Sequence, residues 1–388
     1  MGRGPTNNTK TMNNKPQTIN PYHTNTPPPN WQATLTTLAQ NFIGRKSIFS
    51  EINQFIQQRD RGYISIIAPP GSGKSALLAK YVLTHGHTVY YNCQIDPQAS
   101  TRQTQVDLFL QNISHQLIHR YNLNYPTLPE NATQDGGFLI LLLEQISSSL
   151  PPKQPLIIAI DALDALNKND QISYTNILYL PRYVPQQIYF LITRRPFLSQ
   201  NSRLLIEAPH KVINLKNYDR ETRADMSEYI QQFCSQNQHR QILNNWLAKQ
   251  QITQATLTEN LLNYAGNCWQ YLTTVLKAII EGFYQTNFDQ AQLPPALISY
   301  YQQHWQKMFA QPPTELELNI LQQLANTNLG LSVETIAENL DCNLDADEFD
   351  IEEILEQWWE FLQVEKNESE RKYSFYHPSF REFIRNNC

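Results

Sequence analysis

The sequence predicts an α/β chain in which a parallel sheet flanked by helices is followed by an all-helical domain, then by a small domain of three helices and a β-hairpin. Three observations predict it. Apolar runs of strand length, YISIIA (63–68), TVYYNC (88–93), PLIIAI (155–160) and QIYFLI (187–192), alternate with helical patterns, as parallel strands buried on both faces do. After HKVINL (210–215) the strands stop, and residues 218–310 read as helix after helix. From about 314, helical patterns near 315–325, 333–340 and 350–359 precede FLQVE and KYSFY, which are separated by the polar turn KNESER. That order is the outline of a winged helix.

In chain order, residues 1–30 are rich in Asn, Thr and Pro and hold almost nothing to bury. They read as a disordered leader, with a short docking peptide as the alternative. From Trp31 the pattern is globular. SIFSEINQFI sets Ile48, Phe49, Ile52, Phe55 and Ile56 on one helical face, and Val106, Phe109, Leu110, Ile113 and Leu117 mark another. A third helix covers roughly 137–150, and EGFYQTNFDQAQLPP (281–295) is the clearest loop of the later helical stretch. The expected domains are therefore 31–215, 216–312 and 313–388.

Composition narrows the function. A formal net charge of −5, with 30 basic against 35 acidic residues, gives no overall basic surface for nucleic acid. Cys93, Cys234, Cys268, Cys342 and Cys388 lie far apart with no CxxC pair, which reads as reduced thiols in a cytoplasmic protein. FLILLL (138–143) is too short to span a bilayer, and MGRGPTNNTK lacks the apolar core of a signal peptide.

The chemistry begins at IIAPPGSGKSALL (66–78), which follows a strand and opens a helix. Binding a nucleoside triphosphate needs backbone donors around its oxygens, a cation for the β and γ phosphates and a hydroxyl for Mg²⁺. Gly71 and Gly73 let loop N–H groups turn inward without a Cβ clash. Lys74 supplies the cation and Ser75 the metal-facing hydroxyl at a helix N-terminus. Pro70, Gly71, Ser72, Gly73, Lys74, Ser75 and Ala76 are thus expected around bound ATP or ADP. Ala68 stands where GxxxxGK[ST] has its first glycine, but that position ends the strand and contacts phosphate less than the later glycines do.

PLIIAIDALDAL (155–166) puts Asp161 at a strand end, where a carboxylate can hold Mg²⁺ directly or through water. Asp164, three residues on, can orient or deprotonate an attacking water; an ordinary loop aspartate is its alternative. QIYFLITRRP (187–196) ends a further strand at Arg194 and Arg195, on the edge that faces the ligand crevice of a parallel sheet. Arg195 is expected to sense or stabilise γ-phosphate charge, with a solvated basic turn as the alternative.

NFIGRKSIFSEI, APPGSGKS, IIAIDALDAL, FLITRRP and the closing SFYHPSFREFI, in that order, resemble the STAND class of P-loop NTPases, specifically its NACHT group, within the wider AAA+ relatives. The resemblance covers about 40 to 388. It implies a P-loop NTPase domain, a helical lid and a winged helix acting as an ATP/ADP switch: closed with ADP, opened or assembled on exchange for ATP. It further implies that His377 reaches the β-phosphate of ADP and that Ile43 and Gly44 lie beside the adenine. Two positions depart from the pattern. Ala165 stands where relatives commonly have Glu, which points to slow hydrolysis. AGNCW offers Gly266 and Cys268 where many relatives have Gly-x-Pro near the adenine. Relatives also carry effector and sensor domains, so an excised core or a separate protein partner for sensing and output is expected.

Other functions weigh less. A DNA-handling AAA+ ATPase of the origin-recognition type needs a basic element for a groove. The helix expected there carries Asp350, Glu352, Glu353 and Glu356, which repel phosphate; Trp358 and Trp359 at its end read as core or interface. A P-loop kinase lacks an arginine-bearing lid constellation. A scaffold that binds nucleotide only for stability is a further alternative, since Ala165 is consistent with a site that does not turn over.

Overall fold

The computed structural model describes residues 29–94, 104–166, 175–196, 203–284, 289, 292–309, 311–327, 329–340, 344, 346–366 and 370–388. The leader expected over 1–30 lies outside them except for its last two residues, which already belong to a helix. Parts of the 281–295 loop and of the KNESER turn also fall outside.

Two helices, α1 (Pro29–Leu38) and α2 (Lys46–Gln58), precede the first strand. The α/β part then runs β1 (Gly62–Ile67), α3 (Lys74–Thr84), β2 (Thr88–Asn92), α4 (Gln105–Tyr121), α5 (Gly137–Ser149), β3 (Leu156–Asp161), β4 (Ile188–Arg194) and β5 (His210–Asn214). All five strands are parallel, in the order β2-β3-β4-β1-β5. Every residue of β3 is buried, and β4 is buried up to Arg194, so their near-continuous apolar runs reflect helices on both faces. On the edge strand β2, Trp31 of α1 packs edge-on against Tyr90 with centroids 5.3 Å apart.

Five helices follow: α6 (Asp219–Ser235), α7 (Asn237–Gln250), α8 (Gln254–Ala265), α9 (Trp269–Ile280) and α10 (Pro295–Met308). Pro295 occupies the first turn of α10, where its missing N–H costs nothing. The C-terminal part holds α11 (Glu315–Asn326), α12 (Val333–Glu338), α13 (Glu348–Gln357), an antiparallel pair β6 (Leu362–Lys366) and β7 (Arg371–Phe375), and α14 (Pro378–Asn387). Capping boxes set the starts of α4 (Thr104 with Asp107), α11 (Thr314 with Glu317) and α13 (Asp347 with Asp350), each satisfying two otherwise orphaned N–H groups.

Two hydrophobic cores result. One surrounds the sheet, with Ile64, Leu77, Ile158 and Leu191 fully buried. The other runs from Met226 to Ile384 without a break at residue 313, so the five helices and the C-terminal elements pack as one body. The parallel register brings the ends of β1, β3 and β4 to one edge: Ile67 pairs with Arg194, and Asn92 with Asp161. Ligand crevices of open α/β sheets form at that edge.

Candidate functional site

Beyond β1 the chain turns through Ala68, which is buried at the strand's end, and the loop closes on itself as Ser72 Oγ donates to the Pro69 carbonyl at 2.8 Å. Gly71 (φ 72°) and Gly73 (φ 84°) both sit in the left-handed region that glycine alone enters freely. Space demands Gly71 as well, because a Cβ there would lie 2.7 Å from Cys268 Sγ. Gly73 is the N-cap of α3 and brings no side-chain acceptor, so the first-turn N–H groups of that helix keep their capacity for an anion. Lys74 Nζ donates to the carbonyls of Ala68 (2.7 Å) and Pro69 (2.8 Å). Burial lowers its pKa to about 8, with the Asp164 carboxylate opposing that shift.

A cavity of about 580 Å³ opens on this loop, within the range of small-molecule sites. Of the residues expected to bind or act, Ile43, Pro70, Gly71, Ser72, Gly73, Lys74, Ser75, Ala76, Asp164 and Arg195 line it. Gly44, Asp161 and His377 are not among its lining residues. The other walls come from the segment between α1 and α2 (including Gln40 and Phe42) and from α9, which presents Trp269, Gln270, Thr273 and Lys277. The N–H of Gln270 donates to the Gly71 carbonyl at 3.0 Å, which ties the start of α9 to the loop. Cys268 thus occupies the place expected for a proline, with its thiol, raised to about 11 chiefly by burial, against Gly71.

Asp161 is 1% exposed. Its carboxylate accepts hydrogen bonds from Thr193 Oγ1 and from Tyr90 Oη at 3.4 Å. Burial raises its pKa, and the nearby Thr193 and Ser75 hydroxyls together with the Lys74 charge restrain the rise. The Ser75–Asp161 pair is the hydroxyl-carboxylate set that a nucleotide-bound Mg²⁺ uses along with phosphate and water ligands, and Ser75 alone of the two reaches the cavity. Among the described residues no cluster of three or more His, Cys, Asp or Glu suggests an all-protein metal site.

Asp164 and Arg195, read separately from the sequence, are partners. Arg195 Nε lies 3.2 Å from Asp164 Oδ2, and the Arg195 N–H donates to Asp164 Oδ1 at 2.8 Å. Arg195 Nη1 also reaches Glu360 Oε2 at 3.4 Å, and its guanidinium lies over the Phe361 ring at 5.3 Å. Lys307 of α10 completes the group, 2.9 Å from Glu360 Oε2 and 3.8 Å from Asp164 Oδ2. Burial works against the Arg195 charge, but Asp164 and Glu360 outweigh it and raise its pKa. In this arrangement the Asp164 carboxylate is paired with two cations, Arg195 and Lys307.

His377 also differs from expectation. It is 4% exposed and is the N-cap of α14: Nδ1 accepts from the Ser379 N–H at 3.2 Å, and Nε2 donates to the Ala265 carbonyl at 3.1 Å. Both ring nitrogens are therefore engaged away from the cradle, and burial lowers the ring's pKa to about 4, which keeps it neutral. Gly44 has a structural demand in place of a contact with the cavity. At φ 76° a Cβ would stand 2.0 Å from Asp225 Cγ, whose carboxylate accepts the Arg45 N–H at 2.9 Å.

Sequence reasoning missed three residues. Arg45, 4% exposed, donates to Ser72 O (3.0 Å) and Thr222 Oγ1 (2.7 Å) and lies over the Trp269 ring at 5.8 Å. Its position directly after Gly44 in FIGR was the only local signal. Glu360 and Lys307 had none, because only the fold brings them to Asp164 and Arg195.

Comparison with known proteins agrees with this fold. Residues 46–195 match the family profile described as nephrocystin 3, N-terminal. No curated protein matches the chain. Among solved structures, the Walker-type ATPase PABY2304 of Pyrococcus abyssi superposes with a TM-score of 0.56 at 11% identity, covering 89% of this chain and 97% of that one. The Aeropyrum pernix ORC2 protein (ADPNP–ADP complexes) gives 0.46 at 12% identity, covering 91% and 96%. The chain has the fold of a P-loop ATPase. No helix among the described residues is long and apolar enough to cross a membrane.

Proposed function

We propose that this chain binds ATP or ADP with Mg²⁺ in the cavity above Gly71–Ser75 and acts as a nucleotide-dependent switch of NACHT type with slow hydrolysis. The observation that carries the reading is the Asp164–Arg195–Lys307–Glu360 group. Two residues that line the cavity, Asp164 and Arg195, are held by one residue from the helical region and one from the C-terminal part. A cradle built this way couples the state of its nucleotide to the docking of the elements that cover it.

Within that reading, Lys74 and the N–H groups of Gly73–Ser75 bind phosphate oxygens, and Arg195 answers γ-phosphate charge once freed from its carboxylates. Bound Mg²⁺ supplies charge neutralisation, and Ser75 with Asp161 would hold it. Ile43 and the neighbouring segment take the base. Ala165 puts no carboxylate after Asp164, and Asp164 itself is paired, which supports slow turnover. His377 steadies the covered form through the Ala265 carbonyl of the lid. We read 216–312 as the lid and 313–388 as a winged helix. Self-association with ATP and a protein partner for sensing or output follow from the resemblance to NACHT proteins. Free thiols at Cys93, Cys234, Cys268 and Cys388 support a cytoplasmic location.

A DNA-handling role is disfavoured because Asp347, Glu348, Asp350, Glu352, Glu353 and Glu356 all lie on or cap α13. Titration calorimetry with ADP and with a slowly hydrolysed ATP analogue, with and without Mg²⁺, tests the proposal beside light scattering. Saturable one-to-one binding that changes the size of the particle only for the triphosphate supports the switch. Equal hydrodynamic behaviour with both nucleotides leaves only the scaffold.

A further inference from the structure

We propose that Glu360 is a built-in competitor for the γ-phosphate, so that the chain discriminates for nucleoside diphosphate and against triphosphate as long as its C-terminal part is docked. The inference rests on the nucleotide reading above and adds to it the residue that sets the preference.

Glu360 is the middle residue of the short turn Trp359–Phe361 that joins α13 to β6. The turn is anchored on both sides, since Trp358 and Phe361 are each 1% exposed. The carboxylate is therefore aimed by packing, and its side chain is only 18% exposed. One oxygen, Oε2, accepts a hydrogen bond from Lys307 Nζ at 2.9 Å and forms an ion pair with Arg195 Nη1 at 3.4 Å. Two cations and two carboxylates form the group, so its formal charge is balanced without any phosphate near it. A diphosphate engages the loop and leaves that balance intact. A third phosphate sets a further anion against Lys74 and Arg195, where Glu360 repels it and also holds the cation it needs. Relief comes by withdrawing Glu360, which means undocking the turn that carries it. By linkage, whatever lifts the C-terminal part favours triphosphate by the same factor.

The test compares fluorescent ADP and a fluorescent, slowly hydrolysed ATP analogue on the full chain, for the wild type, Glu360→Gln and Glu360→Asp. The wild type is expected to prefer ADP. Glu360→Gln, which keeps the shape and removes the charge, should tighten the triphosphate analogue roughly tenfold, about 1.4 kcal/mol, and leave ADP unchanged. Glu360→Asp, which keeps the charge but withdraws it by one methylene, should shift the ratio the same way by less. Small-angle scattering gives a second readout: the analogue should expand Glu360→Gln at lower concentration than the wild type. Equal effects on both nucleotides, or none, in a variant with wild-type melting behaviour would overturn the inference. Failure of the wild type to bind either nucleotide would instead overturn the nucleotide reading, and this inference with it.

Discussion

Arg45 Nη2 donates to the Ser72 carbonyl at 3.0 Å while Nη1 donates to Thr222 Oγ1 at 2.7 Å, so one buried guanidinium bridges the phosphate loop and α6. Burial lowers its pKa to about 10, with Asp225 opposing, and it remains charged at neutral pH. Replacing it by Met leaves a buried carbonyl and hydroxyl without their donor. Arg45→Met should cost about 2–4 kcal/mol in urea unfolding. Arg45→Lys keeps the charge but not the fork and should recover less than half of the loss. A variant as stable as wild type would show that the bridge contributes nothing.

Gly44→Ala is expected to destabilise for two separate reasons. The φ of 76° costs an L-residue about 1–2 kcal/mol, and the new methyl would overlap the Asp225 carboxylate. Asp225→Ala removes the overlap but also an acceptor of the Arg45 N–H, so the double variant should lose less stability than the two single variants lose in sum; strictly additive losses would refute the steric account.

Burial lowers the pKa of His87, His115, His210, His304 and His377, and it shifts the last two furthest. His377 is lowered from 6.5 to about 4 and His304 from 6.5 to about 2, both chiefly by burial. The unfolded chain takes up protons below about pH 6.5 that the folded chain refuses. Stability is thus full above that pH and falls as pH drops, through about 4 for His377 and further for His304, by up to about 1.4 kcal/mol per pH unit for each ring. Asn is a good N-cap, so His377→Asn should preserve α14 and make the fall between pH 6.5 and 4 shallower, leaving the part due to His304. An unchanged slope by chemical denaturation would contradict the neutral, buried ring.

Asp161→Asn should leave the sheet intact, because Thr193 and Tyr90 can still hydrogen-bond an amide. Removing the charge beside Ser75 should abolish any strengthening of nucleotide binding by Mg²⁺, read by calorimetry with and without the ion. Retained Mg²⁺ dependence would mean that another group holds the metal.

How far the sequence could be read depends on the range of the interactions involved. The cradle was legible because its geometry is local: two glycines, Lys74 and Ser75 sit between a strand and a helix, and each does its work within a few residues. The starts of α4 and α11 have an equally local cause in Thr104–Asp107 and Thr314–Glu317, which the reading by apolar periodicity did not use. Asp164 and Arg195 were found as residues but not as a pair, since their partnership depends on the β3–β4 register. Glu360 and Lys307 escaped altogether, because no local pattern distinguishes a surface charge from one that folding delivers to a site. His377 was found through resemblance, but the Ala265 carbonyl it binds lies in another helix.

The central claim is that the Gly71–Ser75 loop retains a nucleotide beneath the docked lid and C-terminal part and hydrolyses it only slowly. The most direct test is the nucleotide released by acid quench from freshly purified protein, separated by chromatography, beside a Lys74→Ala control. The account predicts near-stoichiometric ADP from the wild type and none from the variant, since losing a charge-assisted phosphate contact weakens binding by roughly 10- to 100-fold. A wild type that carries no nucleotide and turns over added ATP rapidly would contradict it and make the chain a working ATPase.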